Sequence, residues 1–305
     1  MQMMNREDRK NVRAGILAAF SFVVALCSLP EAAVPAADAR DFMWEARSKT
    51  ATVYLLGSVH FLTRDAYPLS APIEEAFAKS DVLAVEANIN NPDQLFFTKF
   101  LERAFYPEGD SLKNHLSPDT YALLREELGK FGLPEELTER ERPWFLALTL
   151  TSLQLLKGGF DPELGVDMHF LSKAGGKKIV EIESLEYQTE LLSGFSDSEQ
   201  ESFLRYTLRD MQKAAKESRS LVTTWKSGDA DGLAAVLREG MSKEAGMSSV
   251  WEKLLYERNK KMVRRIETFL KSHGTVFVVV GAGHLVGPRG VVEMLRARRY
   301  AVEQW

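Results

Sequence analysis

The chain is poor in the residues that most directly hold disulfides and metals. It has one cysteine, Cys27, and five histidines in 305 residues. Cys27 lies in an uncharged apolar run from Ala14 to Leu29, near the start. A chain cleaved behind that run would have no thiol, and so no disulfide, thiolate metal site or cysteine nucleophile. Any metal must then be held by His, Asp and Glu. The chain also lacks a basic field: 39 Lys and Arg face 43 Asp and Glu, for a net charge of −4. That argues against nucleic acid as a partner. There is no fixed-period repeat, and the one biased stretch is the Ala/Pro-rich segment after Leu29. What remains is ordinary globular material, 45% apolar and 27% charged. It is enough for one large domain or two modest ones with an ample core.

The first 39 residues read as an address rather than as fold. "MQMMNREDRKNVR" is charged, "AGILAAFSFVVALCSL" is apolar, and "PEAAVPAADAR" is rich in small residues. This is the order of a secretory signal. Ala37-Asp38-Ala39 offers the best cleavage site, before Arg40, with Ala33 to Ala36 as a fallback. The apolar run is just short of a membrane span, which keeps an uncleaved anchor as the alternative. A lipoprotein reading of Cys27 is weak, because Leu26 stands where a small residue is wanted. The expectation is a periplasmic or secreted protein, with no integral span after signal cleavage. Residues 40–305 would form its domain.

Short β-like runs lie toward both ends of the chain. "DFMWEAR" and "TATVYLLGSV" suggest a hairpin. "DVLAVEANI", "KKIVEIES", "TVFVVVGAG" and "YAVEQW" follow in turn. The inner runs are continuously apolar, as in strands covered on both faces. Between two of them, "SAPIEEAFAKS" reads as a helix with Ser70 as cap and Pro72 in its first turn. Thr50 to Ile89 is therefore a strand–helix–strand unit. From about 92 to 272 the pattern is mostly helical. The fold class is α/β: a mixed, largely parallel sheet built from both ends of the chain, flanked by helices, with a large helical insertion. Ligands in such sheets sit outside the carboxyl ends of the strands.

Two of the five histidines share a setting. "YLLGSVHFL" carries His60 after Gly57, and "FVVVGAGHLVG" carries His284 after Gly281. Each is an apolar strand followed by Gly-x-x-His, so each presents an imidazole at the end of a strand. Glu86, in "LAVEANI", ends a third strand. In a parallel sheet His60, Glu86 and His284 would converge with open positions, a donor set suited to Zn, Mn, Co or Fe. Single histidines after strands are often plain polar loop residues. "GAGHLVG" also reads as a glycine turn opening a helix toward a phosphate, although it lacks the dinucleotide fingerprint and the P-loop lysine. His169, beside Phe170, reads as a packed edge histidine, His115 and His273 as loop and helix-end residues, and Asp167 as a capping or orienting residue.

These motifs resemble the TraB/GumN family, the superfamily of TraB, PrgY, GumN and Tiki-like proteins, over nearly all of the chain after the signal segment. "GSVH", "GAGH" and Glu86 match its paired Gly-x-x-His motifs and strand-ending glutamate. Gly165 and Asp167 match a Gly-x-Asp helix start. Ile182, Glu183 and Ser184 stand for Leu-Glu-Thr, and Gln188 follows in place. Glu257, Arg258, Asn259 and Met262 match a further block. Arg299 departs from the usual glycine before the last strand.

The resemblance implies a metal-dependent hydrolase fold, with Tiki-like relatives regarded as metalloproteases. Under it, His60, His284 and Glu86 would hold a divalent metal. Glu86 or Glu183, whichever is not a ligand, would be general base. Arg258 would clamp an oxyanion or a substrate carboxylate, its alternative being a solvated helix face. Asn259 would bind substrate or orient a histidine. The implied partner is a peptide or protein substrate. The rival implication is a non-catalytic envelope protein of the GumN type that binds a peptide or polysaccharide.

Overall fold

A computed structural model describes residues 40–305, apart from 91, 93 and 243–245. The signal-segment expectation and Cys27 lie outside the described residues. The strands are β1 (Met43–Arg47), β2 (Ala51–Ser58), β3 (Val82–Val85), β4 (Lys178–Glu181), β5 (Gly274–Gly281) and β6 (Ala301–Gln304). They form one sheet in the order β4-β3-β5-β2-β1-β6. β5 lies parallel between β2 and β3, and β4 lies parallel to β3 at one edge. β1 pairs antiparallel with both β2 and β6. The α/β sheet is therefore mixed, mostly parallel and closed from both ends of the chain.

The composition of β5 explains its central place. "GTVFVVVG" is β-branched and apolar, and its last six residues are buried. A strand with helices on both faces needs that unbroken run. Its register with β2 runs from Ala51↔Gly274 to Ser58↔Gly281. Both Gly-x-x-His glycines are thus inside the strands rather than in the turns after them. Gly57 has a packing reason: a Cβ there would meet Phe42 Cδ1 at 2.5 Å. The Trp225 indole N–H also donates to the Gly57 carbonyl at 2.7 Å, pinning the strand end.

The helices are α1 (Ala71–Lys79), α2 (Gln94–Ala104), α3 (Pro118–Phe131), α4 (Pro143–Lys157), α5 (Val166–Lys173), α6 (Leu185–Ser193) and α7 (Asp197–Asp210). Then come α8 (Ala214–Lys226), α9 (Ala230–Ser242), α10 (Met247–Trp251), a π turn (Glu252–Glu257), α11 (Arg258–Leu270), α12 (Ala282–Leu285) and α13 (Val291–Ala297). Ser70 stands at the start of α1 without a side-chain capping bond. At α7 Ser196 and Glu199 form the full reciprocal capping box.

The helices of the 92–272 segment serve two cores. Trp225 of α8, Val236 of α9 and Ile266 of α11 pack with the sheet residues. Phe100, Trp144 and Phe203, on α2, α4 and α7, belong to a separate helical core. Among the described residues no helix is long and apolar enough to cross a membrane.

Candidate active site

The carboxyl ends of β4, β3, β5 and β2 lie side by side, and each is followed by a chemically useful residue. Glu183 comes two residues after β4, and Glu86 directly after β3. His284 lies in the single turn of α12 after β5, and His60 two residues after β2. The short helix is a departure from a simple turn. It buries His284 almost completely, while His60 keeps about 15% of its side chain exposed.

Gly281 marks the point of convergence. A Cβ built there would lie 3.2 Å from Glu86 Oε1, 3.5 Å from His284 Cδ2 and 3.7 Å from His60 Nε2. The missing methyl leaves a hollow faced by all three side chains. His284 Nε2 is 3.8 Å from Glu86 Oε1.

Each imidazole is held from behind. His284 Nδ1 is 2.6 Å from Asn259 Oδ1. The Asn259 amide N–H donates to the Arg289 carbonyl at 2.8 Å, which fixes Oδ1 as the acceptor. His284 must therefore donate from Nδ1, leaving the lone pair on Nε2. Burial, with Arg258 and His60 nearby, holds its pKa well below the usual histidine range, so the ring is neutral. His60 Nδ1 is 2.6 Å from Asp167 Oδ2, an ion-pair contact. Burial works against a charge on His60, but Asp167 outweighs it and raises the pKa. Gly165 makes room for this arrangement, because a Cβ there would meet the His60 carbonyl oxygen at 2.3 Å.

The two imidazoles thus respond differently to acid. Because Asp167 raises His60, their interaction stabilises the fold fully below the unfolded histidine value near 6.5. It is lost as pH rises through the higher folded value. Asp167→Asn is expected to lower the His60 pKa, read by NMR titration of the ring. The stability gap to the unmodified protein should be widest in mild acid and narrow on the alkaline side.

The carboxylates are held as firmly. Glu86 Oε1 accepts from the Gly281 N–H at 2.5 Å. Glu86 Oε2 accepts from Arg258 Nη2 at 2.7 Å and Gln188 Nε2 at 3.2 Å. Glu183 accepts from Arg258 Nε and Nη2 and from Gln188 Nε2. Arg258 Nη1 donates to the Leu254 carbonyl, inside the π turn. Burial opposes the guanidinium charge, but Glu183 and Glu86 hold Arg258 firmly protonated.

Arg258 is buried and bonded to both glutamates, and Asn259 is buried against His284. Glu183, with both oxygens on Arg258, stands behind Glu86, whose Oε1 is the oxygen nearest the imidazoles. The other histidines lie elsewhere. His169 contacts Glu74 at 2.7 Å and Tyr67, and His115 stacks on Tyr106. His273 is exposed in the loop before β5.

Asp167 and Gln188 are the site members to which sequence reading gave no place in the chemistry. Both were detectable as polar residues on an apolar helical stripe. Val166, Asp167, Phe170 and Leu171 are the buried positions of α5; Leu185, Gln188, Thr189 and Leu192 are those of α6. Arg258 and Asn259 fill the same kind of slot among Met262, Val263 and Ile266 of α11.

Among the described residues no group of three or more His, Cys, Asp or Glu forms a ready cage for a metal ion. The arrangement does suit a bound divalent cation held less completely. It offers the His60 Nε2 nitrogen and the edge of the His284 ring around Gly281, with His284 Nε2 3.8 Å from the Glu86 carboxylate. Glu86 and Glu183 share the single guanidinium of Arg258, while the third buried acid, Asp167, faces His60. Buried Ser58 Oγ, which ends β2 opposite Gly281, and Gln188 Oε1 have no partner.

A mostly parallel α/β sheet with paired imidazoles and glutamates across its strand ends defines the class. The TraB/PrgY/gumN family model matches residues 42–304, and the chain belongs to that family. It is 25% identical over 245 residues to the uncharacterized protein YbaP of Escherichia coli strain K12, covering 80% of this chain and 87% of that one. It is 23% identical over 300 residues to an uncharacterized protein of Treponema pallidum, covering 93% and 89%. It is 25% identical over 324 residues to Metalloprotease TIKI1 of Danio rerio, covering 88% of this chain and 64% of that protein. No solved structure matches.

Proposed function

We propose that the protein is an exported metal-dependent hydrolase acting on peptide bonds. The observation that carries this reading is the hollow at Gly281, ringed by His60 Nε2, the His284 ring and Glu86 Oε1. Membership of a family that includes proteins named metalloprotease supports it. His60 and His284 would hold a divalent metal, Mn, Co, Zn or Fe, through their Nε2 atoms. The metal, when bound, would polarise a carbonyl and make water more acidic.

The chain's own residues do the rest. Glu86 takes the proton of the attacking water at Oε1 and passes it to the leaving amine. The Gly281 N–H and Arg258 keep that carboxylate from turning away. Glu183 and Gln188 fix Arg258 and Glu86 in turn. Asp167 and Asn259 aim the two rings. This is positioning of a kind that catalysis needs, because small misplacements are costly.

The test is metal analysis of the protein after incubation with each candidate metal, followed by cleavage of a peptide library. His60→Ala and His284→Ala are each expected to lower retained metal at least tenfold and to abolish metal-dependent cleavage. Full metal content in both variants overturns the reading. Peptide or polysaccharide binding in EDTA, with no turnover under any metal, favours a binding protein instead.

A further inference from the structure

β4 is the open edge of the sheet next to the candidate site. Among the described residues, β3 lies on one flank and no strand on the other. Lys178, Ile179 and Glu181 are exposed. The Ile182 N–H donates to the Val85 carbonyl at 2.8 Å, so the even-numbered residues turn their backbone groups toward β3. By the same alternation, the N–H and C=O groups of Ile179 and Glu181 point away from the sheet. The chain then bends at Ile182 and Glu183 toward the site, and the Glu183 N–H donates to the Glu86 carbonyl at 2.8 Å.

We propose that an extended peptide pairs with the free edge of β4 and is led across the strand ends to His60 and His284. Outward backbone groups on alternate residues match the spacing of an extended polypeptide, which adds to a sheet edge through them. A glycan carries no such repeat of donors and acceptors. The edge is continuous with the site through Ile182 and Glu183. Ile179, 37% exposed, adds an apolar contact beside the outward groups. This inference rests on the hydrolase reading only for what happens to the peptide after it is seated.

The sheet sets a length requirement. Strands lie about 4.8 Å apart, so an added strand is about 14 Å from β5, or about four extended residues. Three paired residues and that span make a productive peptide of about eight residues or more.

Ile179→Pro is the discriminating variant. It removes an outward N–H while leaving the ladder to β3 intact, the position at which an edge strand tolerates proline. Ile179→Ala keeps the N–H and controls for the side chain. The measurement is fluorescence anisotropy with pooled fluorescein-labelled random decapeptides and pentapeptides, with metal removed so that no cleavage is needed.

The full chain should bind decapeptides at least fivefold more tightly than pentapeptides. Ile179→Pro, and decapeptides N-methylated on alternate residues, should lose at least fivefold. Hydrogen exchange should slow at the Ile179 and Glu181 amides when decapeptide is added. Unchanged binding by both the proline variant and the methylated peptides overturns the proposal, even if cleavage is seen. So does an edge already covered by a second copy, read as a dimer that Ile179→Pro dissociates. Peptides that bind through β4 and are never cleaved leave this inference standing and overturn the hydrolase reading.

Discussion

Gly281→Ala is expected to leave the protein folded and to disable the site. The backbone there, φ −50° and ψ 133°, suits an L-residue, so alanine brings no conformational strain. Its methyl would instead enter the hollow, 3.2 Å from Glu86 Oε1. That oxygen already accepts the N–H of the same residue, so the carboxylate must shift by a few tenths of an ångström or break the bond. A carboxylate that breaks this bond is free to move by about 1 Å, and a misplacement of that size costs roughly 100-fold in turnover. The expected result is a melting temperature close to that of the unmodified protein, with metal retention and peptide cleavage reduced about 100-fold. Unaltered cleavage with alanine in place would mean that the reaction, if any, occurs elsewhere.

Arg258→Ala is expected to do the opposite, striking the fold as hard as the chemistry. Its guanidinium is buried between Glu86 and Glu183, and both ion pairs would be lost together. Removing one partner of a buried ion pair costs about 3–5 kcal/mol, because the remaining charge has nothing to face. In a chain of this size that lowers the melting temperature by about 10 °C. Arg258→Lys keeps the charge without the planar fork and should fall between the two. Arg258→Ala combined with Glu183→Gln should recover part of the loss, since one of the stranded acids is then neutral. Calorimetry of the parent, Arg258→Ala, Glu183→Gln and the double variant gives the coupling directly. An Arg258→Ala variant as stable as the parent would show that the glutamates need no counter-charge.

The architecture was legible because the strands announce themselves. β5 and β2 are apolar runs with hardly a polar interruption, and their glycines flag close packing. The order of the strands was less visible. β5 enters between β2 and β3, which are neighbours in sequence, and no local pattern states that. At the site, His60, His284 and Glu86 were conspicuous as rare polar residues just past apolar strands. The roles of Arg258 and Asn259 were harder to read. "ERNKK" looks like a solvated helix face until its positions are set against the stripe through Met262 and Ile266. A buried charge is costly to desolvate, so a charged residue on such a stripe implies a partner brought by the fold. For Arg258 those partners are Glu86 and Glu183, which arrive from other parts of the chain.

The pairing of Ala51–Ser58 with Gly274–Gly281 also sets when the protein can first act. Contacts between such distant segments form late and slowly, because a long loop must close before they return any free energy. His60, Glu86 and Glu183 are all synthesised long before His284, yet none has its final surroundings until β5 slots between β2 and β3. A nascent chain therefore carries three of the site's side chains without a complete site. The proposed activity would begin only when the sheet is complete, so that finishing the fold would itself arm the molecule.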